Sequence, residues 1–180
     1  MIGPTAFVGA WIVGGLIKKN YSPVEDAISR LAAVGSSTRP LMTCGFVCFG
    51  VAVPAYALAL RRWIGGPSWM AAFGTGVATL GVAAVPLGMS SSGDLLHGGL
   101  ATTGYITLTA TPLLAARTLW HARRRTTARL SLAIGTGAGL CLAATVLGRH
   151  HGLWQRTGLS IGDSWLVASA VAMLIGHARR

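Results

Sequence analysis

The chain has 180 residues, of which 52% are hydrophobic and only 11% are charged. Soluble domains carry about a quarter charged residues, so this composition excludes an ordinary water-soluble fold. The net charge of +11 does not predict binding to nucleic acid, because the lysines and arginines lie between long apolar runs, where membrane proteins keep their anchoring charges. We therefore expect a single integral membrane domain over residues 1–180.

The apolar runs are long enough to cross a bilayer as helices. A helical span needs about 20 residues, and continuous rather than alternating apolarity favours helices over barrel strands. The first run has no basic segment before it and ends in Lys18 and Lys19, so we expect a retained helix rather than a signal peptide. The predicted fold class is all-α, a polytopic six-transmembrane-helix bundle with spans at about 2–17, 41–60, 69–87, 98–119, 130–147 and 161–176.

The basic residues predict which ends of the spans face the cytoplasm. The arginine-rich segment after the fourth span is the strongest signal, and it predicts that both termini are cytoplasmic (N-in and C-in). In this orientation all four acidic residues, Glu25, Asp26, Asp94 and Asp163, belong to the outer side. The inner side carries most of the basic residues: Arg61, Arg62, Arg117, Arg123, Arg124, Arg125, Arg129, Arg179 and Arg180.

The segment between the first two spans predicts a short amphipathic helix at the membrane interface, over about 23–34. Ser22 has the position of a capping residue, with a proline and a glutamate following at the expected spacing. Asp26 and Arg30 are four residues apart on the polar face and can form an ion pair there, and Ser29 lies on the same face. Two interpretations stay open: a solvated face, or a helix that folds over the bundle and points Asp26 and Ser29 into it.

A second polar segment precedes the fourth span. Asp94 can cap the helix that follows it, and His97 lies three residues later on the same face. A histidine at the membrane border beside a carboxylate can be a metal ligand, a general base or a proton carrier. It can equally satisfy a helix N-terminus. We name Asp26, Ser29 and His97 as candidate catalytic residues.

The loop before the last span adds two adjacent histidines and an arginine. Neighbouring side chains on a helix point about 100° apart, so we expect only His151 to join a metal site. With His97, Asp94 and Asp26 it would complete a tetrahedral zinc site. Arg156 can bind a lipid phosphate through two hydrogen bonds, or it can anchor the membrane interface.

Short motifs are spread over nearly the whole chain: Tyr21-Ser22-Pro23, Asp26, Ser29 and Leu31, then Gly45-Phe46 and Gly50, then His97-Gly98, then Gly152-Leu153, Arg156 and Trp165. With these motifs the chain resembles a bacterial membrane-protein family known only as domain-of-unknown-function family 998. The resemblance implies six helices, a location in the bacterial cytoplasmic membrane and no established activity. It would place the family's polar motif on Asp26, Ser29, His97 and Arg156, with Gln155 where an acidic residue is expected.

Three functions are open from the sequence. We favour a lipid- or partner-binding envelope component, because no complete catalytic constellation is present and small residues suit helix association. Its partners would be membrane lipids, a second copy of the chain or another membrane protein. The alternative is a membrane-embedded hydrolase or lipid-modifying enzyme that uses Asp26, Ser29 and His97, with zinc as its cofactor. A small transporter with the same polar residues is the third.

Overall fold

The computed structural model describes residues 2–178, with side chains described for residues 2–176. Arg179 and Arg180, two of the predicted inner arginines, lie outside the described residues. Within residues 2–178 the chain is all-α, as predicted, with six α-helices, one short 3-10 helix (Ile28–Ala32) and no strand. The α-helices are α1 (Ile2–Ile17), α2 (Arg39–Ile64), α3 (Ser68–Ala84), α4 (Ser91–His121), α5 (Arg125–Leu147) and α6 (His151–Ala178).

The six α-helices pack in chain order, each against the next, because their connections are short. The ring closes where α1 meets α6, and this contact is much looser than the others. We call it the α1–α6 seam. Apolar side chains such as Phe7, Met42 and Leu108 fill the inside of the ring.

Hydrogen bonds bring the connections α1–α2, α3–α4 and α5–α6 to one end of the bundle, which we call the loop pole. The Val34 amide donates to the Leu87 carbonyl at 2.9 Å, and the Leu153 amide donates to the Val24 carbonyl at 2.9 Å. The turns α2–α3 and α4–α5 lie at the opposite end, which we call the arginine pole. The three loops predicted to share one side therefore do share one end of the molecule.

Three of the described helices, α2, α5 and α6, are long and apolar enough to cross a membrane. The helices α1 and α3 are apolar but shorter, at 16 and 17 residues. Helix α4 is continuous over 31 residues, but threonines interrupt its apolar sequence, and it is not among the three. Length and composition thus support membrane insertion through three helices, fewer than the six predicted spans.

The predicted interfacial helix over 23–34 is wrong in extent, because only Ile28–Ala32 is helical and it is a 3-10 helix. Two of the carbonyl groups before it accept from α6 instead of from amides in their own segment. The Val24 carbonyl accepts from the Leu153 amide, and the Pro23 carbonyl accepts from Arg156 at 2.7 Å. Contacts with another helix have replaced the bonds that an α-helix here would need.

Asp163 was predicted on the outer side, and this too is wrong. Helix α6 begins at His151, ten residues before the predicted span, so Asp163 lies about 18 Å along the helix at 1.5 Å per residue. Its side chain is buried at the α1–α6 seam. The carboxyl group therefore lies well inside a membrane-compatible helix rather than near its start, where the predicted span 161–176 placed it.

Candidate functional site

The loop pole is organised around the guanidinium group of Arg156, which is buried although arginine usually is not. Its Nη1 donates to the carbonyl oxygens of Pro23 at 2.7 Å, Asp26 at 2.9 Å and Gly152 at 2.9 Å. Its Nη2 donates to the hydroxyl group of Tyr21. We call Tyr21, Pro23, Asp26, Gly152 and Arg156 the Arg156 clasp, since together they fasten the α1–α2 connection onto α6.

Aromatic rings close the clasp on its other sides. The guanidinium carbon of Arg156 lies 5.4 Å from the ring centres of both Trp11 and Tyr21, which is cation–π distance. Trp11 belongs to α1, so Arg156 also joins the two helices of the α1–α6 seam at this end. The Nε atom of Arg156 is buried and has no hydrogen-bond partner.

The role of Arg156 at a lipid headgroup stays a prediction, and its contacts within the protein bear on it. The side chain is 7% exposed, and four acceptors of the protein already occupy its two terminal nitrogens. A phosphate group outside the protein would have to displace these acceptors. Arg156 therefore fastens a loop rather than presenting a charge to the membrane surface.

The next residue, Gln155, adds two bonds that sequence reasoning missed. Its Oε1 accepts from the backbone amide of Ile28 at 2.7 Å, and its Nε2 donates to the hydroxyl group of Tyr105. The amide side chain thereby connects the 3-10 helix, α4 and α6. Glutamine makes both contacts without placing a charge at this buried position, as an ionised acidic residue would.

Burial in the clasp raises the pKa of the Tyr21 phenol above its usual value, and the charge of Arg156 opposes this shift only in part. Tyr21 donates to the carbonyl oxygen of Ala27 at 3.2 Å. Beside it, partial burial and the charge of Arg30 lower the pKa of Lys18. Tyr21 thus holds its proton as a hydrogen-bond donor inside the clasp.

The acidic residues of the connecting loop are engaged at the surface. Asp26 pairs with Arg30 at 2.7 Å, as predicted, and its second oxygen accepts from the backbone amide of Ser22 at 2.8 Å. Glu25 contacts His150 across the two loops at 2.6 Å. Both carboxylates therefore fix the geometry of the loops at this pole.

A cavity of about 50 Å³ lies in the middle of the ring, enough space for a few water molecules. Ser29 lines it and is buried, together with the polar side chains of Thr75, Tyr105 and Gln155. Most of the remaining wall is apolar. Of the three predicted catalytic residues, Ser29 reaches this cavity, whereas Asp26 and His97 are not part of its wall.

His97 is buried near the start of α4, and its Nδ1 lies 2.6 Å from the carbonyl oxygen of Val85. Its Nε2 is buried without a partner. Asp94 does not cap α4 as predicted, since the side chain of Ser90 is the cap and accepts from the Gly93 amide at 3.1 Å. Asp94 instead accepts from the Gly88 amide at 2.8 Å, so it shapes the turn and leaves His97 without a carboxylate partner.

The four predicted zinc ligands are not brought together. Asp26 pairs with Arg30, Asp94 accepts from the turn before α4, and the Nδ1 of His151 lies 2.6 Å from the Thr145 carbonyl. Among the described residues no group of three or more histidine, cysteine, aspartate and glutamate side chains is placed to hold a metal ion. The geometry therefore gives no support to the predicted zinc site.

An apolar groove of about 410 Å³ runs along the outside of the ring between α4 and α5. Its wall contains Ile106, Leu113, Ala143 and Val146, and Gly139 brings the two helices close together. Arg149 is an exposed residue just beyond the end of α5, three positions after Val146 in the chain. The outer face of the ring therefore presents an apolar groove, with an arginine close in sequence to its α5 wall.

A family model described as "Protein of unknown function (DUF998)" matches residues 1–172. The chain belongs to this family. No match was found among curated proteins or among solved structures. The matched region contains the Arg156 clasp, the central cavity and α1 through most of α6.

Several motif residues of this DUF998 member have structural partners. Trp165 donates from Nε1 to the hydroxyl group of Ser131 at 2.9 Å, and Gly152 leaves room for the clasp. The residues missed by the sequence analysis are Gln155, Tyr105 and the interior position of Asp163. A polar residue inside an apolar run was the available signal for Tyr105 and Asp163, since such residues need a partner or a function.

Proposed function

We propose that this DUF998 member is a six-span membrane protein that binds a membrane phospholipid, with one acyl chain in the α4–α5 groove and the phosphate group at Arg149. The groove is the observation that carries the proposal. Its volume is about 410 Å³ and its wall is almost wholly apolar. Ligand sites of this kind combine an apolar wall with a few polar groups that orient the ligand.

Six spans are supported by the outer surface of the ring. Large apolar side chains are exposed there, including Leu16, Met70, Ile106 and Leu140, and patches of this size are rare on soluble proteins. The hydroxyl group of Thr111 donates to the carbonyl of Thr107, one turn earlier in α4, at 2.8 Å. Such bonds satisfy the threonines of α4 within their own helix, which makes this helix compatible with lipid.

The N-in, C-in orientation is supported by charge. The arginine pole carries exposed arginines such as Arg61, Arg117 and Arg124, whereas the loop pole combines basic residues with Glu25 and Asp94. Cytoplasmic loops carry the excess of basic residues. We propose that the arginine pole faces the cytoplasm of a bacterial cell and that the Arg156 clasp lies on the outer side of its membrane.

The apolar wall of the groove and the arginine beyond it indicate which ligand the groove binds. The wall from Leu113 to Val146 offers apolar contact over several helical turns, as an acyl chain requires. Arg149 is exposed beyond this wall and can bind a phosphate group through two N–H donors. A phospholipid has both parts in this order, whereas a free fatty acid lacks the phosphate group.

Lipid binding is favoured over catalysis by the distribution of the candidate residues. A hydrolase needs its nucleophile and its base within hydrogen-bond reach. Ser29 faces the central cavity, His97 contacts the Val85 carbonyl, and Asp26 pairs with Arg30. These positions support a structural role for each residue.

The test is retention of phospholipid by purified protein, measured by native mass spectrometry after transfer from vesicles of phosphatidylglycerol and phosphatidylethanolamine. Ala143→Phe fills the groove from an exposed position, and Arg149→Gln removes the charge at its end. We expect each change to lower retained phospholipid about tenfold, which corresponds to about 1.4 kcal/mol. Leu140→Phe is the matched control, because Leu140 is 68% exposed on the same helix but outside the groove. Equal retention in all four proteins would refute the proposal.

The orientation has its own test. Single cysteines replace Ser37, Ser91 and Arg124 in a chain whose native cysteines are changed to alanine. A membrane-impermeant maleimide added to intact cells should label positions 37 and 91 and leave 124 unlabelled. Labelling of 37 and 91 on different sides would refute six spans.

A further inference from the structure

Asp163 is the least expected residue of the interior. It lies in the middle of α6, its side chain is 4% exposed, and neither carboxyl oxygen has a hydrogen-bond partner within the described part of the chain. An unpaired buried charge is costly in an apolar environment, so a carboxyl group at this position needs a proton or a cation. Charged residues inside membrane helices usually mark functional sites.

The carboxyl group lines a groove of about 530 Å³ at the α1–α6 seam. One wall comes from α1, through residues such as Val8 and Ile12, and the other from α6. Among the residues whose side chains are described, no basic one lines it. The seam is the loosest contact of the ring. The groove shares no lining residue with the central cavity, so it lies between α1 and α6 on the outside of the ring.

Arg156 does not neutralise this carboxyl group. It lies on the same face of α6, two turns nearer the loop pole, since seven residues make about two turns. Its terminal nitrogens are engaged by the carbonyl groups and the phenol of the clasp. Arg156 therefore joins α1 and α6 at the loop pole, whereas Asp163 lies two turns deeper in the same seam and has no basic partner among the described side chains.

We propose that the α1–α6 groove binds an amphiphilic organic monocation, an alkylammonium group on an apolar chain, with its ammonium group on Asp163. The apolar wall of α1 suits the chain, and the hydroxyl groups of Ser160 and Ser164 beside Asp163 can accept the remaining N–H bonds. The buried position strengthens the attraction between ammonium and carboxylate, because little water screens it. This site is separate from the α4–α5 groove and does not depend on phospholipid binding.

The experiment uses a dodecylamine that carries a diazirine on its chain, added to the full chain in phosphatidylcholine nanodiscs. After illumination, mass spectrometry locates the label. We expect the label on α1 and α6 at the seam, and we expect Asp163→Asn to lower it at least tenfold. Asp94→Asn is the control, since Asp94 is an exposed acid outside the groove. The same diazirine on dodecanol, which has no charge, should label the seam equally with and without Asp163.

A second variant changes the α1 wall of the groove instead of α6. A Cβ at Gly9 would meet no heavy atom within 4 Å, and Gly9 lines the groove, so Gly9→Leu fills the groove while the carboxyl group of Asp163 is kept. We expect Gly9→Leu to abolish seam labelling and to leave the unfolding temperature unchanged. Labelling that is insensitive to both variants would overturn the proposal. So would an infrared spectrum in which the Asp163 carboxyl is protonated at neutral pH and stays so when dodecylamine is added.

Discussion

The carbonyl oxygen of Asp26 lies 2.5 Å from the point where a Cβ atom on Gly152 would stand. The Pro23 carbonyl lies 2.6 Å from the same point, and the Nη1 of Arg156 lies 2.8 Å from it. The two carbonyls reach Arg156 only because α6 has no side chain at position 152. The clasp therefore depends as much on one missing side chain as on the arginine that it surrounds.

Gly152→Ala should loosen the loop pole. The added methyl group would stand closer to two backbone oxygens than any real Cβ does, and backbone cannot rotate away as a flexible side chain can. We expect a loss of about 1–3 kcal/mol in unfolding free energy, typical of an overpacked site. Denaturant unfolding in detergent measures it, and protease cleavage within residues 21–34 should become faster.

Gly137→Ala is the matched control for this change. Gly137 lies in α5 and a Cβ there would meet nothing within 4 Å, so alanine should be neutral or slightly stabilising through its higher helix propensity. A similar loss in both variants would mean that a general sensitivity of the helices, and not the clasp, is responsible.

Arg156→Lys should destabilise the protein although the charge is kept. Lysine has no planar fork of donors and cannot reach Pro23, Gly152 and the Tyr21 hydroxyl at once. Hydrogen bonds to charged groups contribute about 1.5–3 kcal/mol each, so we expect a loss of about 3 kcal/mol, measured by denaturant unfolding.

Arg30→Lys is the corresponding control. The side chain of Arg30 is 63% exposed in its pair with Asp26, and exposed pairs contribute about 0.2–1 kcal/mol. If both substitutions had the same small effect, the clasp would contribute no more than a surface ion pair.

The clasp shows what sequence could and could not predict. Helix positions followed from continuous apolarity, and the sharing of one end by three loops followed from alternating connections. The Ser22 hydroxyl accepts from the Glu25 amide, and Asp26 pairs with Arg30, as their spacing predicted. These features depend on neighbours within four residues, which sequence displays directly.

The errors concern partners that are far apart in the chain. Arg156 bonds to Pro23 across 133 positions and Gln155 to Ile28 across 127. Nothing in the pattern around residue 156 predicts that its side chain will donate to backbone carbonyl groups of a distant loop. The start of α6 was placed too late for a related reason, because the polar stretch before residue 161 was read as a loop although its polar groups are satisfied by that distant segment.

Because of Tyr21, we expect the free energy of unfolding to fall at alkaline pH. Burial raises its pKa above the ordinary value of 10.0, so the folded protein holds the phenol proton more tightly than the unfolded chain. Below pH 10 both states are protonated and the contribution of Tyr21 is fully present. Above that pH the unfolded chain ionises first and stability declines until the folded state ionises as well.

Comparison with Tyr21→Phe isolates this effect. The variant lacks the hydroxyl group, so it should be less stable at neutral pH and should lose less stability than the wild type between pH 9 and pH 11, a window of about two units around the ordinary phenol pKa. Parallel stability curves for the two proteins would show that Tyr21 does not ionise differently in the folded state.

Gly76→Ala should separate α2 from α3. A Cβ on Gly76 would lie 2.6 Å from Cγ of Pro54 and 3.0 Å from the carbonyl oxygen of Gly50. The proline ring is fixed within α2 and cannot move aside, so the helices must shift, and we expect a loss of about 1–3 kcal/mol in unfolding free energy. Gly99→Ala is the control, because a Cβ at Gly99 in α4 meets only open space. Since small residues let helices approach closely where lipid supplies no hydrophobic force between them, an unchanged unfolding free energy in Gly76→Ala would mean that the approach of α2 to α3 contributes nothing to the stability of the ring.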